Sequence, residues 1–94
     1  MRAIVARKIG RPEDLAVEEL PDPTPKAGEV VIDMAVAAVN FPDLLVIEGK
    51  YQSLPKLPFV PGMEGAGVVS AVGPVVEGAG VTGLAKGDRV MVQA

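Results

Sequence analysis

FVPGMEGAGVV, residues 59–69, sets an acid among three glycines and continues into a β-branched run. Gly62, Gly65 and Gly67 could be mistaken for a dinucleotide-binding turn. That fingerprint runs G-x-G-x-x-G and opens a helix whose N-terminus meets pyrophosphate. Here the spacing is G-x-x-G-x-G, and VVSAV behind it has the character of a strand. The stretch therefore reads as the start of a β-strand, with glycines where another part of the chain approaches closely. A nucleotide-binding Rossmann fold is excluded for this segment, and GAG at 78–80 fails for the same lack of context.

Working outward, RAIVARK (2–8) reads as a first strand and LAVEEL (15–20) as a second, joined by the turn chemistry of GRPED. Three prolines make PDPTPKAG (21–28) a loop. EVVIDMAVAAV (29–39) is the longest strand candidate. Its alternate residues Val30, Ile32, Met34, Val36 and Ala38 are apolar, which predicts one buried face, with Asp33 on the wetter one. NFPDLLVIEGKY (40–51) changes pattern. Pro42 suits the first helical position, Asp43 suits the helix dipole and Gly49 suits the end, so a short helix is expected. The prolines at 55, 58 and 61 have the three-residue spacing of polyproline II; the plain reading is an extended surface loop, and docking to a proline-recognition domain is the functional alternative. EGAGVVSAVG (64–73) and DRVMVQ (88–93) supply two more strands around a glycine-rich turn region. Five strands, one helix and many Gly/Pro turns argue for a small, mostly antiparallel β-barrel or sandwich.

The totals narrow the function. Ninety-four residues form one domain with one modest core, and 49% apolar with only 3% aromatic residues means a core of Val, Leu, Ile, Ala and Met. Nine basic against twelve acidic residues, with no dense block of either sign, argue against nucleic acid as a partner. No segment has the roughly twenty uninterrupted apolar residues of a membrane span, and the N-terminal apolar runs are too short for a secretory signal, so a soluble cytoplasmic protein is expected. The chain has no Cys and no His. It therefore offers no disulfide, no thiolate nucleophile, no imidazole base and no donor set for an ordinary tetrahedral zinc site.

Three residues invite a functional reading beside a structural one. Glu64 is either a partly buried acid accepting backbone hydrogen bonds or a carboxylate beside a ligand pocket. Asn40 either caps the helix or presents its amide to a ligand. Tyr51, the only tyrosine, either packs on the loop or turns its phenol into a cleft as a proton donor. Residue chemistry leaves each of these pairs open.

Taken in order, MRAIVARKIG, PTPKAGEVVIDMAVAAVN, NFPDLLVIEGKY, P-G-x-E-G-A-G-V-V and KGDRVMV resemble the N-terminal, GroES-like domain of the medium-chain dehydrogenase/reductase superfamily across nearly the whole chain. The resemblance implies a GroES-like, partly open β-barrel, mainly β with one short helix and Gly/Pro-rich loops, occupying residues 1–94 as a single domain. The stretch VGPVVEGAGVTGLAKGDRV looks a few residues longer than the family's usual link and could hold an insertion. Zinc alcohol dehydrogenases of that superfamily place Cys where this chain has Asn40 and His where it has Met63. The chain is therefore similar to the zinc-independent branch, which includes quinone oxidoreductases and enoyl thioester reductases, both typically using NADPH.

The resemblance to quinone oxidoreductases places Asn40, Phe41, Asp43, Tyr51 and Met63 along the cleft where nicotinamide and a small quinone or enone meet. Glu64 becomes a structural carboxylate, or one beside the site without touching substrate, and no metal is implied. The alternative enoyl thioester reductase would use Tyr51 as proton donor, although its motif usually reads N-P-S-D where this chain has N-F-P-D. A non-catalytic GroES-like binding module is the alternative from another class. Family members continue from KGDRVMV into a Rossmann domain that binds most of the NADPH and that these 94 residues lack. The resemblance thus implies a domain of a longer enzyme, inactive alone, whose exposed docking surface would favour self-association.

Overall fold

A computed structural model describes residues 1–78, 80, 81 and 83–93. Ala79 and Thr82 of the glycine-rich turn region, and with them the middle of the GAG triplet, lie outside the described residues, as does Ala94. The elements run β1 (Arg2–Val5), β2 (Ala16–Glu19), β3 (Val30–Ala37), α1 (Phe41–Ile47), β4 (Glu64–Val72) and β5 (Arg89–Gln93), with a 3-10 turn over Pro12–Asp14. The chain is mainly β with one short helix, as expected, and its strands form two open antiparallel sheets, β1-β2 and β3-β4-β5. Its contacts divide into two compact units, Met1–Pro21 with Ala38–Met63, and Asp22–Ala37 with Glu64–Ala94.

In the first unit β1 and β2 pair in register from Arg2↔Glu19 to Val5↔Ala16. The expected first strand is shorter than RAIVARK because Ala6 leaves β2 and bridges Phe59, donating to and accepting from it at 2.8 and 3.0 Å. Arg7 then reaches back to Glu18 with a forked grip, Nε at 3.0 and 2.9 Å and Nη2 at 2.5 Å from the carboxylate. Helix α1 buries Asp43, Val46 and Ile47, the i, i+3, i+4 pattern of one helical face. Pro42 occupies its second position, one later than expected, because Phe41 opens the helix and Asn40 flanks it. Gly49 ends it with φ +73°, a left-handed conformation that costs glycine little. The 52–58 segment is an exposed loop, as expected, but it bends at 51–53 and 57–58 and does not form a continuous polyproline II rod.

In the second unit the glycine-rich stretch becomes β4, the central strand. A Cβ at Gly67 would collide with the Asp33 carbonyl, and one at Gly65 would stand 2.6 Å from the Val36 carbonyl oxygen. The glycines are there because the backbone of β3 lies against them.

The expected one-face burial of β3 fails in its second half. Val36 is 64% exposed, and Met34 and Ala38 are also exposed. The alternation is also interrupted by a bulge: Met34 pairs with Gly67 but Val36 pairs with Ala66, which leaves Ala35 as an extra residue. Gly67 and Ala66 point to opposite faces, so Met34 and Val36 do too, although they are two apart in sequence. Val36 joins Ala66 and Met91 across the sheet on a face where Met91 is 88% exposed. A second irregularity skips Ser70, whose hydroxyl donates to the Val31 carbonyl at 3.2 Å.

Gly67→Ala should cost about 1–3 kcal/mol, because backbone must shift to admit the methyl. A lowered urea midpoint at unchanged slope is the expected reading, and an unchanged midpoint would contradict the close packing of β3 on β4.

The Arg7 grip gives a pH signature. Hydrogen bonds from Arg7, helped by its charge and opposed by desolvation, hold Glu18 below the ordinary glutamate range. A carboxylate with a lowered folded-state pKa contributes stability above its unfolded pKa of about 4.3 and loses it as pH falls through the folded value. Glu18→Gln should therefore flatten the acid-side fall of melting temperature below about pH 4.5 and leave its shape near pH 7 unchanged.

Candidate functional site

Of the sequence-predicted residues, Tyr51 and Met63 meet in the first unit, where α1 and the return of the chain at Phe59 share one apolar cluster. Ala6, Val46 and Phe59 are buried together, and Leu15, Tyr51 and Met63 pack on them half-buried. Phe59 reaches this place through its backbone bridge to Ala6, a contact between residues 53 positions apart (59 − 6 = 53). At Gly62 a backbone φ of +127° turns the chain before Met63.

Asp43 is the most constrained polar group of the site. It is 5% exposed, and its Oδ2 accepts a hydrogen bond from the Asn40 backbone N–H at 2.9 Å. That bond satisfies a free donor at the helix start, as an acid at the third helical position is suited to do. Its Oδ1 is buried with no hydrogen-bond partner among the described residues. A pocket of about 120 Å³ lies beside it, walled by Val46, Phe59, Val60, Gly62 and Met63, with Ser53 at the edge.

The other expected residues fall into different surroundings. Asn40 is half-buried at the N-terminal boundary of α1. Tyr51 packs on the apolar cluster, and Phe41 at the start of α1 is 70% exposed. Glu64 opens β4 opposite Gln93 and belongs to the second unit, whereas Asp43, Tyr51 and Met63 belong to the first. Phe59 and Val46 were not singled out by sequence. An apolar residue between two prolines reads as loop, and only the distant pairing with Ala6 marks Phe59 as core.

The donor chemistry does not fit zinc. Asn40 and Met63 offer an amide and a thioether where a tetrahedral zinc site wants imidazole or thiolate. Among the described residues no group of three or more His, Cys, Asp or Glu is placed to hold a metal ion. A dinucleotide does not fit the 120 Å³ pocket either, which has room for no more than the end of a small molecule. Among the described residues no helix is long and apolar enough to cross a membrane.

A mainly-β chain with a glycine-bearing central strand and one capped helix before a proline-rich loop defines its class. The chain belongs to the alcohol dehydrogenase GroES-like domain family, whose sequence model matches residues 26–94. It is 42% identical over 92 residues to an alcohol dehydrogenase of Moraxella sp. (strain TAE123), a match that covers 98% of this chain and 25% of that protein. Among solved structures it is similar to a mycobacterial quinone oxidoreductase, at 41% identity and a TM-score of 0.84, covering 97% of this chain and 27% of that one. It is similar also to Escherichia coli quinone oxidoreductase complexed with NADPH, at 34% identity and a TM-score of 0.85, covering 100% of this chain and 27% of that one. The chain thus spans about a quarter of the length of the relatives it matches.

Phe59→Ala tests the wall of the site. Removing a buried ring costs roughly 3–5 kcal/mol, a large share of a small domain's stability. The chain has one Tyr and no Trp, so Tyr51 fluorescence reports on this cluster alone. The substitution should shift the Tyr51 unfolding transition strongly to lower denaturant; a shift below about 1 kcal/mol would contradict the buried position of Phe59.

Proposed function

We propose that this chain is the substrate-side domain of a zinc-independent, NADPH-dependent quinone oxidoreductase, acting on a small quinone or activated alkene. One observation carries the reading. Residue 63 is a methionine packed on an apolar cluster beside an anionic side chain, in place of the donor that the zinc-dependent relatives would need. The likeness to two quinone oxidoreductases, one solved with NADPH, supports it. The name of the Moraxella relative keeps alcohol oxidation in view as the outcome that would count against it.

NADPH, when bound, supplies the hydride, which goes to an electron-poor carbon of the substrate. The phosphate-binding part of that cofactor belongs to a Rossmann domain outside these 94 residues, so the domain alone is inactive. This chain's task is to shape and dry one wall of the cleft. Val46, Phe59 and Met63 offer an apolar surface that excludes water, which strengthens every polar contact made there. Asn40 and Asp43 are the hydrogen-bonding groups at that wall, Phe41 is an aromatic edge open to a ligand, and Tyr51 borders the same cluster. Glu64 at the start of β4 is a structural carboxylate and does not touch substrate. The same reading gives the protein a soluble, cytoplasmic setting and self-association through surfaces left open by the isolated domain.

A longer polypeptide carrying this domain with its nucleotide-binding domain should oxidise NADPH in the presence of a naphthoquinone, with no effect of a chelator. Chelator-sensitive alcohol oxidation would overturn the reading. Tyr51→Phe should change the quinone rate by less than about tenfold; a loss of roughly 10²–10⁴ in alkene reduction would instead mark Tyr51 as the proton donor of an enoyl thioester reductase.

A further inference from the structure

Strand β5 has a neighbour on one side. Among the described residues it pairs with β4 alone, in unbroken register from Glu64↔Gln93 to Val68↔Arg89. Just before it, Val69 N–H donates to the Asp88 carbonyl and Gly87 N–H to the Val69 carbonyl, each at 2.8 Å, so Val69 and Asp88 face each other as a bonded pair. Antiparallel residues alternate between bonded and non-bonded pairs, which directs the backbone groups of Val90 and Val92 at Gly67 and Gly65. Arg89, Met91 and Gln93 therefore turn their N–H and C=O groups away from β4, along the outer edge of the sheet.

Such an edge is commonly blunted by a bulge, a proline or a lysine. RVMVQ has no proline, no lysine and no break in register. The opposite edge of the sheet differs, because β3 is interrupted between Val31 and Ile32 and again between Met34 and Val36. The β5 edge is also complementary to itself. When two copies pair antiparallel about a two-fold axis at residue 91, Met91 meets Met91 and Arg89 meets Gln93, each pair in the phase that exchanges both backbone bonds. The one charge of the strand falls opposite a neutral amide, and the next residue in that row is Glu64, of opposite sign to Arg89. The side chains match as well. Met91 shares a face with Val36 and Ala66 and is 88% exposed there, and a second copy continues that apolar row across the seam while covering one methionine with the other.

We infer that the outer edge of β5 is a homodimerisation surface, on which a second copy of this chain adds its own β5 antiparallel and centred on Met91, joining two three-stranded sheets into one. This narrows the self-association stated above to one edge and needs no part of the quinone reading. Five residues from each copy make a small interface, below the roughly 1,200 Å² of stable complexes, so the dimer is weak and its population follows concentration.

The test is sedimentation of the 94-residue chain over a concentration series into the millimolar range, with NMR on a mixture of labelled and unlabelled chains. Dimer should grow with concentration, and intermolecular contacts should join Met91 to Met91 and Arg89 to Gln93. Met91→Lys sets two ammonium groups against each other at an exposed position. It should weaken dimerisation at least about tenfold while the amide spectrum stays dispersed, and added salt should restore part of the loss. Val39→Lys adds the same charge at an exposed position of the other unit and should leave dimerisation unchanged. A chain that stays monomeric throughout, dimerisation that survives Met91→Lys, an equal loss in Val39→Lys, or intermolecular contacts centred elsewhere would overturn the inference. NADPH-quinone turnover by the longer polypeptide is measured separately. Its absence would discard the quinone reading and keep the edge, and a monomeric chain would discard the edge and keep the quinone reading.

Discussion

The closest constraint in the three-stranded sheet is the approach of β3 to β4 at Gly65 and Gly67. A strand becomes central when both neighbours can lie at hydrogen-bonding distance, and here β3 comes near enough that a single methyl at Gly67 would strike the Asp33 carbonyl. Much else in that sheet follows. The bulge at Ala35 lies where β3 passes these glycines, and it turns Val36 to the face shared by Ala66 and Met91. Bulges bend and twist the strand that carries them, which suits a sheet that curves. The cost is an exposed apolar row on a sheet whose composition would otherwise support a cleaner division into wet and dry faces.

Asp43 plays a comparable part in the other unit, with polarity in place of volume. One of its oxygens closes the start of α1, and the residue lines a pocket whose other walls include the core residues Val46 and Phe59. The carboxylate is held still, because movement would break the bond from Asn40 N–H. The arrangement depends on Phe59, which forms the wall through its backbone pairing with Ala6. Helix start, core and pocket are therefore coupled, and a substitution in one is felt in all three.

The elements themselves were legible in the sequence because they depend on neighbours in the chain. Alternating β-branched residues gave five strands, Gly49 marked the helix end, and the spacing after Gly62 separated a strand from a phosphate-binding turn. Strand ends and burial were less legible, since they depend on distant residues. Ala6 reads as part of β1 but pairs with Phe59, and Phe59 reads as loop but is core. Period-two reasoning on β3 failed at one extra residue, Ala35, which nothing in EVVIDMAVAAV announces. At the site, Asn40, Asp43 and Met63 could be found from sequence, whereas the idle oxygen of Asp43 could not, because orphaned polar atoms appear only when their surroundings are known.

Met63 joins these threads. A metal-binding side chain at this position would have to stay hydrated or coordinated, and it would keep the space beside Asp43 polar. A thioether can do neither and has no need to: it packs on Ala6, Val46 and Phe59 and makes that space apolar. Among the described residues that line the pocket, Asp43 is then the only acid or base, in a medium where polar contacts are stronger than in water. What distinguishes this wall chemically is thus the pairing of an apolar residue 63 with an acid at 43, with neither residue sufficient alone.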